Sequence, residues 1–345
     1  MRAWYVDQPG PIATHPLALG ERPDPEPGPG DLLLRVLVCG VCRTDLHLAE
    51  GDLAPRRHGV VPGHQVVGVV EALGADLADP SGDPAASGTP AVGDRVGIAW
   101  LRGTCGRCRW CRRGEENLCP ASTYTGWDAD GGFAERAVVP AAFAYALPPG
   151  LDDEHLAPLL CGGIIGYRAL RRANLPPGGR LGIYGFGSSA HLTAQVAMAG
   201  GAEVHVLTRD EGSRALAREL GVASVGGATD RPPVPLDSAI VFAPVGELVP
   251  VALEALDRGG TLALAGIHMT DVPSLHYARH LFLERDLRTV TANTRADGED
   301  LLRLAAVLDL DVRTTSYAFG DTGTALRDLA EGRVTGSAVV RVADG

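Results

Sequence analysis

The chain has 345 residues, 45% of them hydrophobic, which is enough apolar side chain for two buried cores and excludes a disordered chain or a disulfide-stapled miniprotein. All 31 basic residues are arginine, so Schiff-base and pyridoxal-phosphate chemistry and the phosphate-binding lysine of a P-loop are excluded too. A net charge of −11, with no arginines crowded among aromatics, argues against a nucleic-acid partner.

The N-terminal MRAWYVDQPG has no signal-peptide core, and no apolar run nears the roughly 18 residues of a membrane span, so the expectation is a cytoplasmic protein without a membrane partner. Over residues 1–150, glycine and proline punctuate short β-branched runs at 32–38, 66–70 and 95–99, and predict an irregular, mainly β domain. Residues 75–93 carry no apolar period and much Pro, Gly, Ser and Asp, as in a long surface loop. Seven cysteines are present, and four crowd into Cys105, Cys108, Cys111 and Cys119. In a reduced compartment that density suggests metal rather than disulfides.

From residue 151 the texture changes to alternating helix and strand signals: a helix through 170, a strand at 180–184, a helix after Gly187, a strand at 203–207 and a helix before Gly221. Further units follow at 238–242, 248–256 and 261–265. This alternation predicts an α/β domain over 151–290, a doubly wound parallel sheet with right-handed crossovers. The tail, 291–345, with helices near 299–308 and 322–331 and a strand at 337–342, has no place in that sheet and is expected to complete the first domain.

Three constellations carry chemistry. The run Cys105-x2-Cys108-x2-Cys111-x7-Cys119 places four thiolates within one loop, close enough to wrap a structural zinc with no open coordination position. A ferredoxin-type cluster shares the opening spacing but wants a shorter final gap, and a nucleic-acid-binding zinc ribbon wants basic charge. Cys42, His64 and Cys161 would make a zinc site with a vacant fourth position, although alone they read equally well as buried small hydrophobes and a core histidine. Gly185-Phe186-Gly187-Ser188-Ser189-Ala190, directly after the strand RLGIY and opening a helix, is a dinucleotide fingerprint, with Ala190 in place of the third glycine. At the end of the next strand, Thr208 and Arg209 stand where an NAD site usually has an acid, so NADP(H) is preferred over NAD(H); Asp210 tempers this if the strand end shifts by one residue.

The order GVCRTDLH, GHQVVG, four spaced cysteines, LLCGGIIGYRAL and GFGSSAH resembles the zinc-dependent alcohol dehydrogenases of the medium-chain dehydrogenase/reductase superfamily over essentially the whole chain. The resemblance implies a GroES-like β domain completed by the tail, with a Rossmann domain between. It implies two zinc ions per chain, with Cys42, His64 and Cys161 on the catalytic one and Cys105, Cys108, Cys111 and Cys119 on the structural one. Asp45 would support the catalytic ligands, and Thr44 and His47 would relay a proton. The implied reaction is hydride transfer between a nicotinamide and a small-molecule alcohol, aldehyde or ketone, in a homodimer or homotetramer. Gln65 departs from the family's usual Glu and cannot offer the metal a carboxylate. Readings left open are a zinc-free quinone or enone reductase of the same superfamily, which should lack these cysteines, and a non-enzymatic zinc-stabilised dinucleotide-binding protein. A threonine- or polyol-type dehydrogenase would differ only in the substrate pocket. Trp100, Trp110 and Trp127 lie near the expected cleft in sequence, or equally in a core.

Overall fold

The computed structural model describes residues 1–77 and 89–343. The middle of the expected surface loop at 75–93 therefore lies outside the described residues. The chain forms two compact units: Met1–Cys161 with Ala292–Ala306 and Val312–Gly345, and Gly162–Thr291 with Val307–Asp311.

The first unit is built on β3 (Asp31–Val41), which follows a hairpin of β1 (Arg2–Val6) and β2 (Leu17–Glu21). In DLLLRVLVCGV every second side chain from Leu32 to Val38 is buried, the period-2 signature of a strand with one face on a core. One edge of β3 pairs with β4 (Gln65–Leu73), which continues to β5 (Arg95–Ile98) and β9 (Ala144–Ala146). The other edge is shared: Asp31–Arg35 pair with β8 (Arg136–Pro140), and Val38–Val41 pair antiparallel with β17 (Ser337–Arg341). The C-terminal strand thus sits in the sheet of β3. A small ladder of β6 (Leu101–Gly103) and β7 (Thr123–Tyr124) flanks the four-cysteine loop.

In the second unit, β10 (Arg180–Tyr184), β11 (Glu203–Leu207), β12 (Ser224–Gly226), β13 (Leu236–Val241), β14 (Leu256–Leu264) and β15 (Asp286–Thr289) form one sheet, wholly parallel, in the order β12-β11-β10-β13-β14-β15. That is the 3-2-1-4-5-6 order of a dinucleotide-binding sheet, with its topological switch between β10 and β13. Alternate residues of the central strands serve two cores. Leu181, Ile183, Val204, Val206 and Ile240 pack on one face, and Tyr184, Leu207, Ala239 and Val241 on the other. Burial on both faces is why these strands read as continuous apolar runs.

Two boundaries differ from the sequence reading. The first unit runs past residue 150 to Cys161, because the helix Asp153–Pro158 packs on β3, β4 and β17, and Leu160 reaches Gly97 of β5. The tail is also interrupted: Val307–Asp311 belongs to the second unit, where Gln195 holds Asp311 by both backbone groups, at 2.7 and 3.1 Å. A strand the sequence left unmarked, β16 (Thr314–Ala318), runs parallel to β17. No helix among the described residues is long and apolar enough to cross a membrane.

Tyr184, at the end of β10, is the largest fully buried side chain, and its hydroxyl meets no hydrogen-bond partner among the described residues. An unpaired buried hydroxyl costs more than the apolar hydrogen that would replace it. The Tyr184→Phe protein is expected to gain about 1 kcal/mol of stability, read as a raised thermal unfolding midpoint; a lowered midpoint would show that the hydroxyl is paired.

Candidate active site

The first site grows from the junction of β3 with the helix that follows it, α1 (Arg43–Glu50). Cys42 is the N-cap: its thiol accepts the Thr44 N–H at 3.3 Å, and Asp45 reaches back to the Cys42 N–H at 2.9 Å, a capping box with sulfur in the serine position. The other Asp45 oxygen accepts the Gly63 N–H at 2.9 Å and lies 3.2 Å from His64 Nδ1. One buried carboxylate therefore fixes both the helix carrying Cys42 and the turn carrying His64. The third donor, Cys161, sits in a π-helical turn, Leu159–Gly163, between two α-helical segments. Wide turns of this kind are frequent at functional sites.

The two sulfurs flank the imidazole. His64 Nε2 is 3.4 Å from Cys42 Sγ and 3.4 Å from Cys161 Sγ, and the three donor atoms lie within 4.8 Å of one another. A tetrahedral zinc with bonds of about 2.3 Å to sulfur and about 2.0 Å to nitrogen needs sulfur and nitrogen ~3.5 Å apart, so the residues fit the ion. Hydrogen bonding from Cys161 holds the Cys42 thiol well below its ordinary value, and Cys161 is pushed up in return. Burial pulls His64 down, but the Cys42 thiolate and Asp45 outweigh it and raise the imidazole to about 10. Burial pushes Asp45 up.

Of the other residues assigned to this site, Thr44 is buried on the first turn of α1, and His47 stands one turn on, half-buried, with Nδ1 3.0 Å from Asp52 Oδ2. Gln65 opens β4 and is buried. Trp100 meets the His64 ring edge-on at 4.9 Å and stacks with Tyr124 and Trp127 at 5.0 and 5.9 Å, so two of the three marked tryptophans form an aromatic wall beside the donor set. Trp110 does not; it lies in the four-cysteine loop under Arg109. Tyr124 and Asp52 were missed by sequence reasoning.

The second site is the four-cysteine loop. Cys108 and Cys111 sulfurs are 3.5 Å apart and those of Cys105 and Cys119 are 3.6 Å apart, near the ~3.8 Å edge of a sulfur tetrahedron around zinc. Backbone N–H groups, that of Arg107 first, draw Cys105 down to about 6, whereas burial and Cys108 push Cys111 up to about 11. Within this loop Glu116 makes a clamp that the sequence did not signal. Its carboxylate accepts the Arg295 N–H at 2.9 Å and the Arg295 guanidinium at 2.7 Å, and so ties the loop to the helix Arg295–Ala305.

The glycine turn of the second unit links β10 to the helix Ser188–Ala199. Gly185 adopts a φ of 85°, and a Cβ there would lie 2.9 Å from the Ala243 backbone, so only glycine fits. A Cβ on Gly187, the N-cap of the helix Ser188–Ala199, would meet nothing within 4 Å, so the turn keeps open space at the helix N-terminus, where a pyrophosphate binds in this motif. Phe186 and Ala190 are buried in the core beneath, so their part in the turn is packing. Thr208 and Arg209 follow β11; Thr208 is buried and Arg209 exposed. The Asp210 carboxylate is committed to capping the next helix, accepting the Ser213 N–H at 2.7 Å.

Comparison with known proteins places this geometry. Residues 28–149 match the alcohol dehydrogenase GroES-like domain. The chain is 59% identical, over 99% of its length and 97% of the relative's, to a probable alcohol dehydrogenase, AdhA, of Mycobacterium tuberculosis. Among solved structures it superposes on a cinnamyl alcohol dehydrogenase of Sorghum bicolor with a TM-score of 0.86, at 26% identity over 99% of this chain and 97% of that one. The cobalt- and zinc-bound thermostable alcohol dehydrogenase of Pyrobaculum aerophilum gives 0.85, at 26% identity and 99% of both chains. The chain belongs to the zinc-dependent alcohol dehydrogenase family of the medium-chain dehydrogenase/reductase superfamily.

The Glu116 clamp yields a prediction. Burial opposes ionisation of Glu116, but its bonds to Arg295 outweigh this and hold the carboxyl below the usual range. A lowered carboxylate pKa contributes stability above the unfolded-state value and loses it as pH falls through the folded-state one. Arg295→Ala is expected to cost about 2 kcal/mol at neutral pH, less than a fully buried pair because the arginine is partly exposed, and the deficit should shrink at acid pH. A deficit independent of pH would contradict the clamp.

Proposed function

We propose that the chain interconverts an alcohol with its aldehyde or ketone by hydride transfer, holds zinc at both cysteine sites, and uses NADP(H) in preference to NAD(H). The observation that carries the reading is the open set of two sulfurs and one imidazole, each sulfur 3.4 Å from His64 Nε2, in a unit separate from the glycine turn. When bound, zinc supplies a Lewis acid that eases deprotonation of the alcohol or reduction of the carbonyl, and nicotinamide supplies the hydride acceptor or donor. The chain's own part is position. Cys42, His64 and Cys161 hold the metal, and Asp45 orients the His64 ring. The Thr44 hydroxyl takes the substrate proton as it gives up its own, and His47 carries a proton outward. Trp100, Tyr124 and Trp127 offer an apolar wall beside His64. The four-cysteine site, with every coordination position taken by sulfur, stabilises its loop.

All seven cysteines are free of disulfides, which suits a reducing, cytoplasmic setting. For the oligomer, β15 ends the second sheet, and Ile267, Tyr277 and Phe282 are 58%, 66% and 61% exposed in the same unit. An open edge strand and exposed large apolar side chains in one unit invite a second copy, and a homodimer through this unit is our reading.

The zinc assignment is checked by elemental analysis of protein purified without added metal. The expected content is two zinc ions per chain, falling to one in Cys111→Ser with loss of stability and to one in Cys42→Ala with the fold retained and turnover abolished. Iron with labile sulfide, or less than about one zinc per chain, would overturn it.

The cofactor preference follows from Thr208 and Arg209. A neutral hydroxyl does not repel a 2′-phosphate, Arg209 makes no ion pair among the described residues, and Asp210 is engaged as a helix cap. The ratio of kcat/KM for NADPH over NADH with one aldehyde is expected to exceed unity, and Arg209→Ala should lower it by about tenfold, the value of one charge-assisted contact. A parent ratio at or below unity would defeat the reading.

A further inference from the structure

The proton path proposed above ends at His47, and the structure places a specific partner behind it. Helix α1 closes at Gly51, whose φ of 92° reverses the chain. The Gly51 and Leu53 N–H groups both donate to the His47 carbonyl at 3.0 Å, so the capping turn folds back over residue 47. Asp52, between them, is thereby set beside the imidazole, its Oδ2 3.0 Å from His47 Nδ1. The side chains grade outward, His47 at 16% exposed and Asp52 at 46%.

A carboxylate only accepts hydrogen bonds, so this contact fixes the hydrogen on Nδ1 and leaves the lone pair on Nε2. The same short helix then carries, in order, a metal-ligating thiol at Cys42, a hydroxyl at Thr44, an imidazole at His47 and, across its cap, a carboxylate at Asp52. We propose that Asp52 is a positioning residue of the proton path. It holds His47 in the tautomer whose Nε2 accepts the proton, and that same Nε2 proton is then given up to water while the Nδ1–H stays hydrogen-bonded to the carboxylate. When Nε2 gains a proton, His47 becomes a cation paired with the carboxylate; loss of that proton from Nε2 to solvent restores the neutral Nδ1–H ring, and no other group changes charge.

This inference rests on the reading of His47 as the outward proton carrier, and the variants separate the two. In Asp52→Asn the kcat for alcohol oxidation is expected to fall by about tenfold, with KM and zinc content unchanged, since misorientation of an imidazole by the loss of its carboxylate slows proton transfer without touching binding. Asp52→Glu should recover most of the loss. The double variant His47→Gln/Asp52→Asn should be no slower than His47→Gln alone. As a readout independent of turnover, histidine-selective 15N spectra at mildly alkaline pH should show His47, assigned by its absence in His47→Gln, as the Nδ1–H tautomer in the parent and not in Asp52→Asn. A His47→Gln protein as fast as the parent overturns the reading of His47. A slow His47→Gln together with a full-speed Asp52→Asn overturns the role of Asp52 alone, as does an Asp52→Asn loss that persists undiminished in the His47→Gln background.

Discussion

The site depends on one buried carboxylate. Asp45 is 2% exposed, accepts the N–H groups of Cys42 and Gly63 at 2.9 Å each, and faces His64 Nδ1 at 3.2 Å. These contacts join the two segments that leave the paired ends of β3 and β4, where Gly40 stands opposite Gln65, and they hold a thiol and an imidazole at 3.4 Å. Removing a carboxyl from water is costly, so burial raises its pKa, and the two amides and the imidazole are what offset that cost. The interaction that organises the donors thereby also sets the tautomer and basicity of the histidine among them.

The surrounding fold serves to deliver that carboxylate. β3 is held on both edges, by β4 along its length and by β8 and β17 in succession, so its end is rigid where Cys42 caps α1. The register of α1 then assigns its faces, with Asp45 and Leu46 buried and His47 half-buried toward solvent. Cys161 comes from the π-helical turn at the very end of the first unit, and the chain returns to that unit at Ala292. The Glu116–Arg295 clamp then fastens the returning segment to the four-cysteine loop.

How much of this the sequence disclosed follows the distance along the chain over which each feature is encoded. The four-cysteine loop was readable because its cysteines are neighbours in sequence, and the glycine turn because its strand and helix adjoin it. The strands at 32–38 and 180–184 were readable from their apolar patterns, whereas β15 and β16, with few buried side chains, carry little pattern to find. Cys42, His64 and Cys161 gave no such signal, since separations of 22 and 97 residues say nothing about proximity in space; only the family resemblance joined them. Glu116 and Arg295, 179 residues apart, were invisible for the same reason. The domain boundary was placed too early because the helix Asp153–Pro158 resembles the helices that follow it, and only its packing on β3 assigns it to the first unit. Asp52 left a trace, a glycine closing a helix with an acid directly after it, which becomes meaningful once the left-handed cap is seen to turn that acid onto His47.

The measurement closest to the centre of this account is the zinc affinity of Asp45→Asn, read by competition with a chromophoric chelator. Asparagine has nearly the shape of aspartate but lacks its charge and cannot accept with both oxygens. The expected result is one site weakened by about 10- to 100-fold, as is typical when a group orienting a metal ligand is removed, with the four-cysteine site of the same molecule unchanged as its internal control. Two sites with parental affinity would contradict the claim that Asp45 assembles the donor set.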